Sequence, residues 1–235
     1  MNAPAPQPAL GYSVGIVGHR SNRIAEPARV RGRILDILRA IDAAVGEAAA
    51  GGFYPAGRMP LRLVSALAEG ADRLAASAAL EAAIELEVVL PFGAGEYRKD
   101  FSGEASGEEF DALLGQARRV LVLDGQAGER NRAYEAAGVT LLDNCDLLIA
   151  VWDGGPGRGR GGTREVIEEA TRRTIPVVVV DPAGAEATVR SGGSGAGPMR
   201  LEDVPELALA ALPGLIEAEV GLEEGPEQAE QWLRD

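Results

Sequence analysis

This chain predicts a doubly wound α/β fold, a mostly parallel sheet with helices on both faces, and three observations carry that prediction. Short β-branched runs alternate with longer helical segments up to Asp181. The strand runs are apolar almost throughout rather than alternating, which is the pattern of strands buried on both faces. Each intervening segment is long enough to cross back to a parallel neighbour. With 235 residues, 46% of them hydrophobic, the chain can bury one large core.

The elements follow in order. Ser13-Val-Gly-Ile-Val17 is the first strand, and residues 26–49 form a helix whose Val30, Ile34, Ile37, Leu38 and Ile41 fall on one face. Leu61-Arg-Leu-Val-Ser65 is the second strand, followed by a helix over 72–83 made mostly of alanine and leucine. Leu86-Glu-Val-Val-Leu90 is the third, ending at Pro91. A short helix over 108–117 leads to Val120-Leu-Val-Leu123, and a helix over 130–142 to Asp146-Leu-Leu-Ile-Ala-Val151. The last pair is a helix over 163–173 and the strand Pro176-Val-Val-Val-Val180. In domain terms, residues 1–11 read as a disordered segment, 12–183 as the α/β domain, 184–200 as a Gly/Ser-rich linker and 201–235 as an acidic tail with one helix near 207–212. That tail docks on the body, binds a partner or stays solvated; composition alone leaves the three open.

Charge and rare residues exclude several function classes. The net charge of −13 argues against a protein whose main task is to grip a nucleic-acid backbone. From Leu201 to Asp235 ten carboxylates face a single Arg234, so residues 1–200 carry only −4 and leave room for a local basic pocket. One cysteine, Cys145, and one histidine, His19, cannot form an internal disulfide or a zinc cluster; carboxylate-held magnesium is left open, with no cofactor required. No apolar run reaches the roughly 20 residues of a membrane span, and the first ten residues lack a signal pattern, so a cytoplasmic location without membrane partners is expected.

In an open parallel sheet, ligands bind beyond the carboxyl ends of the strands, where strand order reverses. The residues there are Gly18-His19-Arg20, Glu69-Gly70-Ala71-Asp72, Pro91-Phe92 with Tyr97, and Trp152-Asp153 followed by the glycine loop 155–162. Each has a plain alternative: a turn glycine, a surface arginine, a helix cap at Asp72, a core tryptophan. The glycine loop points more firmly to a ligand, because Gly161, Gly162 and Thr163 open a helix whose free N–H groups favour an anion such as phosphate. Thr163 caps that helix or gives its hydroxyl to the phosphate. Glu165, in the first turn, either complements the helix dipole, contacts ribose hydroxyls, or is a catalytic carboxylate beside an anomeric carbon. Neither a P-loop nor a complete dinucleotide fingerprint is present.

Four segments, "VGIVGHR" (14–20), "LVSALAEGADRLAA" (63–76), "LPF...EYRKDF" (90–101) and "CDLLIAVWDG...GGTREVIEEA" (145–170), together resemble the SLOG superfamily of Rossmann-like domains. That superfamily groups the LOG, or lysine-decarboxylase-like, phosphoribohydrolases, the DNA-processing protein A family, and defence-system domains that sense or process nucleotide-derived ligands. The LOG pattern has its glutamate three places after the threonine, whereas Glu165 is two places after Thr163, and its Arg-Lys-x-x-Met motif has no counterpart around 134–138. The segment "SALAEGAD" is closer to the DNA-processing branch. The resemblance implies a site in which Gly161, Gly162 and Thr163 hold a phosphate or diphosphate, Arg20 neutralises it, Glu165 or Asp72 contacts ribose, and Trp152 or Tyr97 flanks a base. The expected function is binding of a nucleotide-derived ligand such as ADP-ribose or NAD. N-glycosidic hydrolysis of a nucleoside monophosphate or NAD is the alternative, and single-stranded DNA binding is disfavoured by charge. Related α/β domains dimerise through helices flanking the sheet, so a homo-oligomer is expected.

Overall fold

The computed structural model describes residues 11–48, 60–155, 162–183, 187–190, 197–199 and 201–210. Among the described residues eight strands form one sheet: β1 (Tyr12–Gly18), β2 (Leu61–Ser65), β3 (Glu85–Leu90), β4 (Arg119–Val122), β5 (Leu147–Val151), β6 (Val177–Val180), β7 (Ala187–Arg190) and β8 (Gly197–Met199). Their order is β4-β3-β2-β1-β5-β6-β7-β8. The first six run parallel, and β7 and β8 add antiparallel. The chain works outward from β1 to β4, then returns to lay β5 on the other side of β1. The switch point therefore lies between β1 and β5, where the crossovers after these two strands diverge and open a crevice. The fold is Rossmann-like, as the periodicity predicts.

Two packed layers enclose the sheet. On one face lie α1 (Pro27–Ala48), α2 (Ala71–Glu81), α4 (Glu104–Leu114) and α7 (Val204–Ala210), with the one-turn α3 (Ala94–Tyr97) between β3 and α4. Val30, Ile34, Ile37, Leu38 and Ile41 of α1 are all fully buried there against Val14, Ile16 and Leu63. Fully burying each such side chain contributes about 1.5–3 kcal/mol. The sheet-facing side of α2 is alanine (Ala71, Ala75, Ala78, Ala79), and side chains this small let the helix sit close over β1, β2 and β3. On the opposite face α5 (Arg130–Leu142) and α6 (Thr163–Arg172) cover Val64, Leu148, Ala150 and Val177 through Ala137, Leu141, Val166 and Ile167.

Three readings differ from expectation by more than two residues. The short helix α4 starts at Glu104 instead of 108, because Gly103 takes φ +100° and lets the helix begin a turn earlier. Within 184–200, expected as a linker, β7 and β8 extend the sheet. The tail helix begins at Val204, three residues before the expected 207, and is described to Ala210; it packs on α1 with Val204 and Ala208 fully buried. Residues 201–210 therefore dock on the body. Of the segment 1–11 expected to be disordered, residues 1–10 lie outside the described residues, as does the tail beyond 210. Among the described residues no helix is long and apolar enough to cross a membrane.

Candidate functional site

A cavity of about 340 Å³ opens at the switch point. The carboxyl end of β1 supplies Gly18, His19 and Arg20; the β2–α2 turn supplies Ala68 and Asp72. The segment after β3 supplies Pro91 and Tyr97, the end of β5 Trp152, and the amino end of α6 Gly162, Thr163 and Arg164. The remaining wall is a face of α5, with Asn131, Tyr134 and Gly138. Eight of the expected site residues thus meet around one space: Gly18, His19, Arg20, Asp72, Tyr97, Trp152, Gly162 and Thr163. Gly161 lies outside the described residues.

Two glycines make this convergence sterically possible. A Cβ on Gly18 would stand 2.4 Å from Ala71 Cβ and 2.8 Å from Val151 Cβ. At Gly70, with φ +97°, a Cβ would stand 2.4 Å from the His19 carbonyl oxygen. The β1 and β2 turns therefore touch through bare backbone, sealed by Ala71 N–H donating to His19 O at 3.1 Å. Gly70 holds two turns together and does not line the cavity.

The charged residues fall into three roles. Asp72 sits in the first turn of α2, 5% exposed, and burial pushes its carboxyl up to about 6 against the pull of the Ala68 and Ala66 N–H groups and of Arg20. Glu69 turns away from the cavity. One of its oxygens accepts the Ser102 N–H at 2.7 Å and the Ser102 and Ser106 hydroxyls at 2.6 and 2.5 Å, and the other lies 3.6 Å from Arg20. Burial works to raise its carboxyl, but these hydrogen bonds and the Arg73 charge hold it below the ordinary glutamate range. Asp153 is likewise a clamp. It accepts the Gly155 N–H at 2.9 Å, pairs with Arg23 at 2.5 Å and stands 3.0 Å from His19 Nε2, contacts led by the Gly155 bond that lower its carboxyl to about 2. His19 is thereby fixed in the wall with its ring buried.

The aromatic residues serve the walls more than a stacking platform. Tyr97 is buried, edge-on to Phe92, Phe101 and Phe110 with centroids 4.9–5.8 Å apart, so its ring is core as well as cavity lining. Trp152 is also buried, and its indole N–H donates to the Gly155 carbonyl at 3.1 Å. Tyr134, half-buried on α5, donates its hydroxyl to Asp100, which with Glu96 also binds Arg130. That network ties α5 to the segment after β3 and holds the far wall.

At the α6 terminus the N-cap is Gly162, with no side-chain cap, and Thr163 is the first helical residue. Thr163 therefore does not cap the helix as the sequence allowed. The amino end of the helix opens where Arg164 and Arg20 also line the cavity. The structure does not bring Glu165 to that space: it is exposed and lines a separate groove between α5 and α6 with Glu135, Val139 and Arg172. The reason is helical phase, since Val166 and Ile167 face the sheet and the preceding residue points along the outer side. Sequence reading missed Asn22, Arg23, Asn131 and Tyr134. The signal that could have found the last two is topological, because the helix returning from the edge strand to the far side of β1 must pass over the switch point. Among the described residues no group of three or more His, Cys, Asp or Glu side chains is placed to hold a metal ion.

No protein-family model matches the chain, and no curated protein matches it. In structure it is similar to DNA processing protein A (DprA) from Streptococcus pneumoniae, at 20% identity over 72% of this chain and 50% of that one, with a TM-score of 0.48. It is also similar to TM1055, a structural genomics target, at 16% identity over 71% of this chain and 72% of that one, with a TM-score of 0.39. The chain spans half the length of the first of these.

Proposed function

We propose that the chain binds a nucleotide or nucleotide-derived phosphate ligand, of the size and chemistry of ADP-ribose or NAD, in the switch-point cavity. One observation carries this reading: the amino end of α6, opened by the glycine N-cap Gly162, and Arg20 converge on one cavity of about 340 Å³, within the range of small-molecule sites. The phosphate lies against the first-turn N–H groups, Thr163 and Arg20, with arginines rather than a metal ion neutralising it. Asp72 and Asn131 offer polar partners for ribose hydroxyls, and Tyr134 and Trp152 line the apolar part of the space for the base. The four-motif resemblance to nucleotide-handling domains agrees with this chemistry.

Binding without cleavage is favoured over N-glycosidic hydrolysis, because Glu165, the carboxylate the sequence offered as catalyst, faces a different groove. Melting temperature and released base or nicotinamide, followed together across a panel of NAD, ADP-ribose and nucleoside monophosphates, separate the two. Stabilisation without turnover is expected, and Glu165→Gln should leave affinity within about twofold. Base release abolished by Glu165→Gln would replace the binding reading with the hydrolytic one.

A further inference from the structure

One edge of the sheet is β4, which among the described residues hydrogen-bonds to β3 alone. Val120, Leu121 and Val122 are 40, 45 and 50% exposed, and they supply three of the five exposed large hydrophobic residues among those described. Successive side chains point to opposite faces, so apolar surface is offered on both sides of the strand. Edge strands are ordinarily blunted by charged residues, proline or a bulge; β4 carries one charge, Arg119 at its start, and its remaining Val-Leu-Val run carries no charge or proline.

We propose that β4 pairs with the β4 of a second copy of this chain, antiparallel about a two-fold axis, joining two eight-stranded sheets into one. The argument is self-complementarity. Arg118 precedes the strand and is 64% exposed; Asp124, also exposed, lies two residues beyond its end. Antiparallel pairing brings these opposite ends together. The register that sets Leu121 against its own copy sets Val120 against Val122, Arg119 against Leu123 and Arg118 against Asp124, each twice. Directly opposed side chains stand about 4.5–5.5 Å apart at Cβ, so apolar meets apolar over 120–122 and cation meets carboxylate at 118 and 124, while Arg119, whose charge is held by Glu87 of its own chain, lays its aliphatic stem beside Leu123. A slip of one pairing step, centred on Val120, puts Arg118 against Val122 and loses both ion pairs. Arg118 already binds Glu85 within its own chain, and the five donors of a guanidinium leave room for a second carboxylate.

The competing face is weaker. The groove between α5 and α6, beside the exposed Val139, is lined by Glu135, Glu165, Glu168 and Glu169 with Arg172 as its cation. A two-fold axis there sets acid against acid. An isologous β4 contact also closes on itself, leaving no further edge of this kind to propagate.

The test is the mass of the full chain in solution by light scattering, in wild type and variants, with far-UV circular dichroism confirming the fold. Wild type is expected at twice the 24.4 kDa chain mass. Leu121→Lys, which sets two lysines opposite each other, should weaken association by at least about tenfold. Arg118→Asp and Asp124→Arg should each weaken it similarly, and the double variant, which restores both pairs in reverse, should return to within about threefold of wild type. A wild-type chain that remains monomeric at about 100 µM overturns the proposal. So does a dimer that survives all three single substitutions, or one that is lost only in Val139→Lys.

Discussion

At the scale of single residues, the site depends on one atom that is missing. Gly70 lacks a Cβ where one would stand 2.4 Å from the His19 carbonyl, at a φ of +97° that other residues resist. Gly70→Ala should therefore cost about 3 kcal/mol or more, read as a loss of melting temperature, while Gly93→Ala, with open space around its Cβ position, should cost little. Asp72 yields a prediction with a definite sign. Its carboxyl is raised to about 6 in the folded chain against about 3.9 unfolded, so the native state binds the extra proton between those values. That contribution to stability is fully present below pH 4 and is lost as pH rises through 6, amounting to about 2–3 kcal/mol. The stability difference between wild type and Asp72→Asn, measured from pH 4 to 7, should shift against wild type by about that amount. A difference that stays flat would mean Asp72 is solvated. At the same scale, Thr163→Ala should lower phosphate-ligand affinity about threefold to tenfold with little change in fold stability, because Gly162, not Thr163, holds the N-cap position.

At the scale of elements, Arg73 shows how a helix is locked to its neighbours. Its guanidinium, 3% exposed, donates to the Leu67 carbonyl and to Ser106 and Glu109, and lies 4.3 Å over the Phe101 ring. It joins α2 to α4 beneath the cavity, and Arg73→Ala should lower stability by about 3 kcal/mol, measured by denaturant unfolding. The six parallel strands were legible in sequence because runs such as Val177-Val-Val-Val180 have no polar face, a pattern only a doubly covered strand tolerates. A helix near 207–212 was legible too, but its docking on the body was not, because Val204 and Ala208 are two small side chains in an acidic stretch. Their burial depends on α1, far away in sequence. Val204→Ala should cost about 2 kcal/mol, a result that separates a docked tail from a solvated one.

At the scale of the whole molecule, strand order decides where chemistry can happen. The reversal between β1 and β5 gathers residues from the ends of β1, β2, β3 and β5 that are as far apart in sequence as Gly18 and Trp152. Sequence therefore located the cavity by topology, yet could not tell lining from support. Glu69 and Asp153 sit at the right strand ends but spend their oxygens on serine hydroxyls, backbone N–H groups and arginines. Glu165 sits at the right helix end with the wrong phase. Charge acts at this scale too: with −13 overall, single-stranded DNA should show no specific binding at physiological salt. The central claim is that the cavity holds a nucleotide phosphate between Arg20 and the start of α6. Calorimetric titration of the full chain and of Arg20→Ala with ADP-ribose, NAD and AMP tests it most directly. The account predicts a dissociation constant of about 100 µM or tighter for at least one of the three, weakened about tenfold or more in Arg20→Ala. No binding by any of them at about 1 mM, or an affinity unchanged by the substitution, would contradict it.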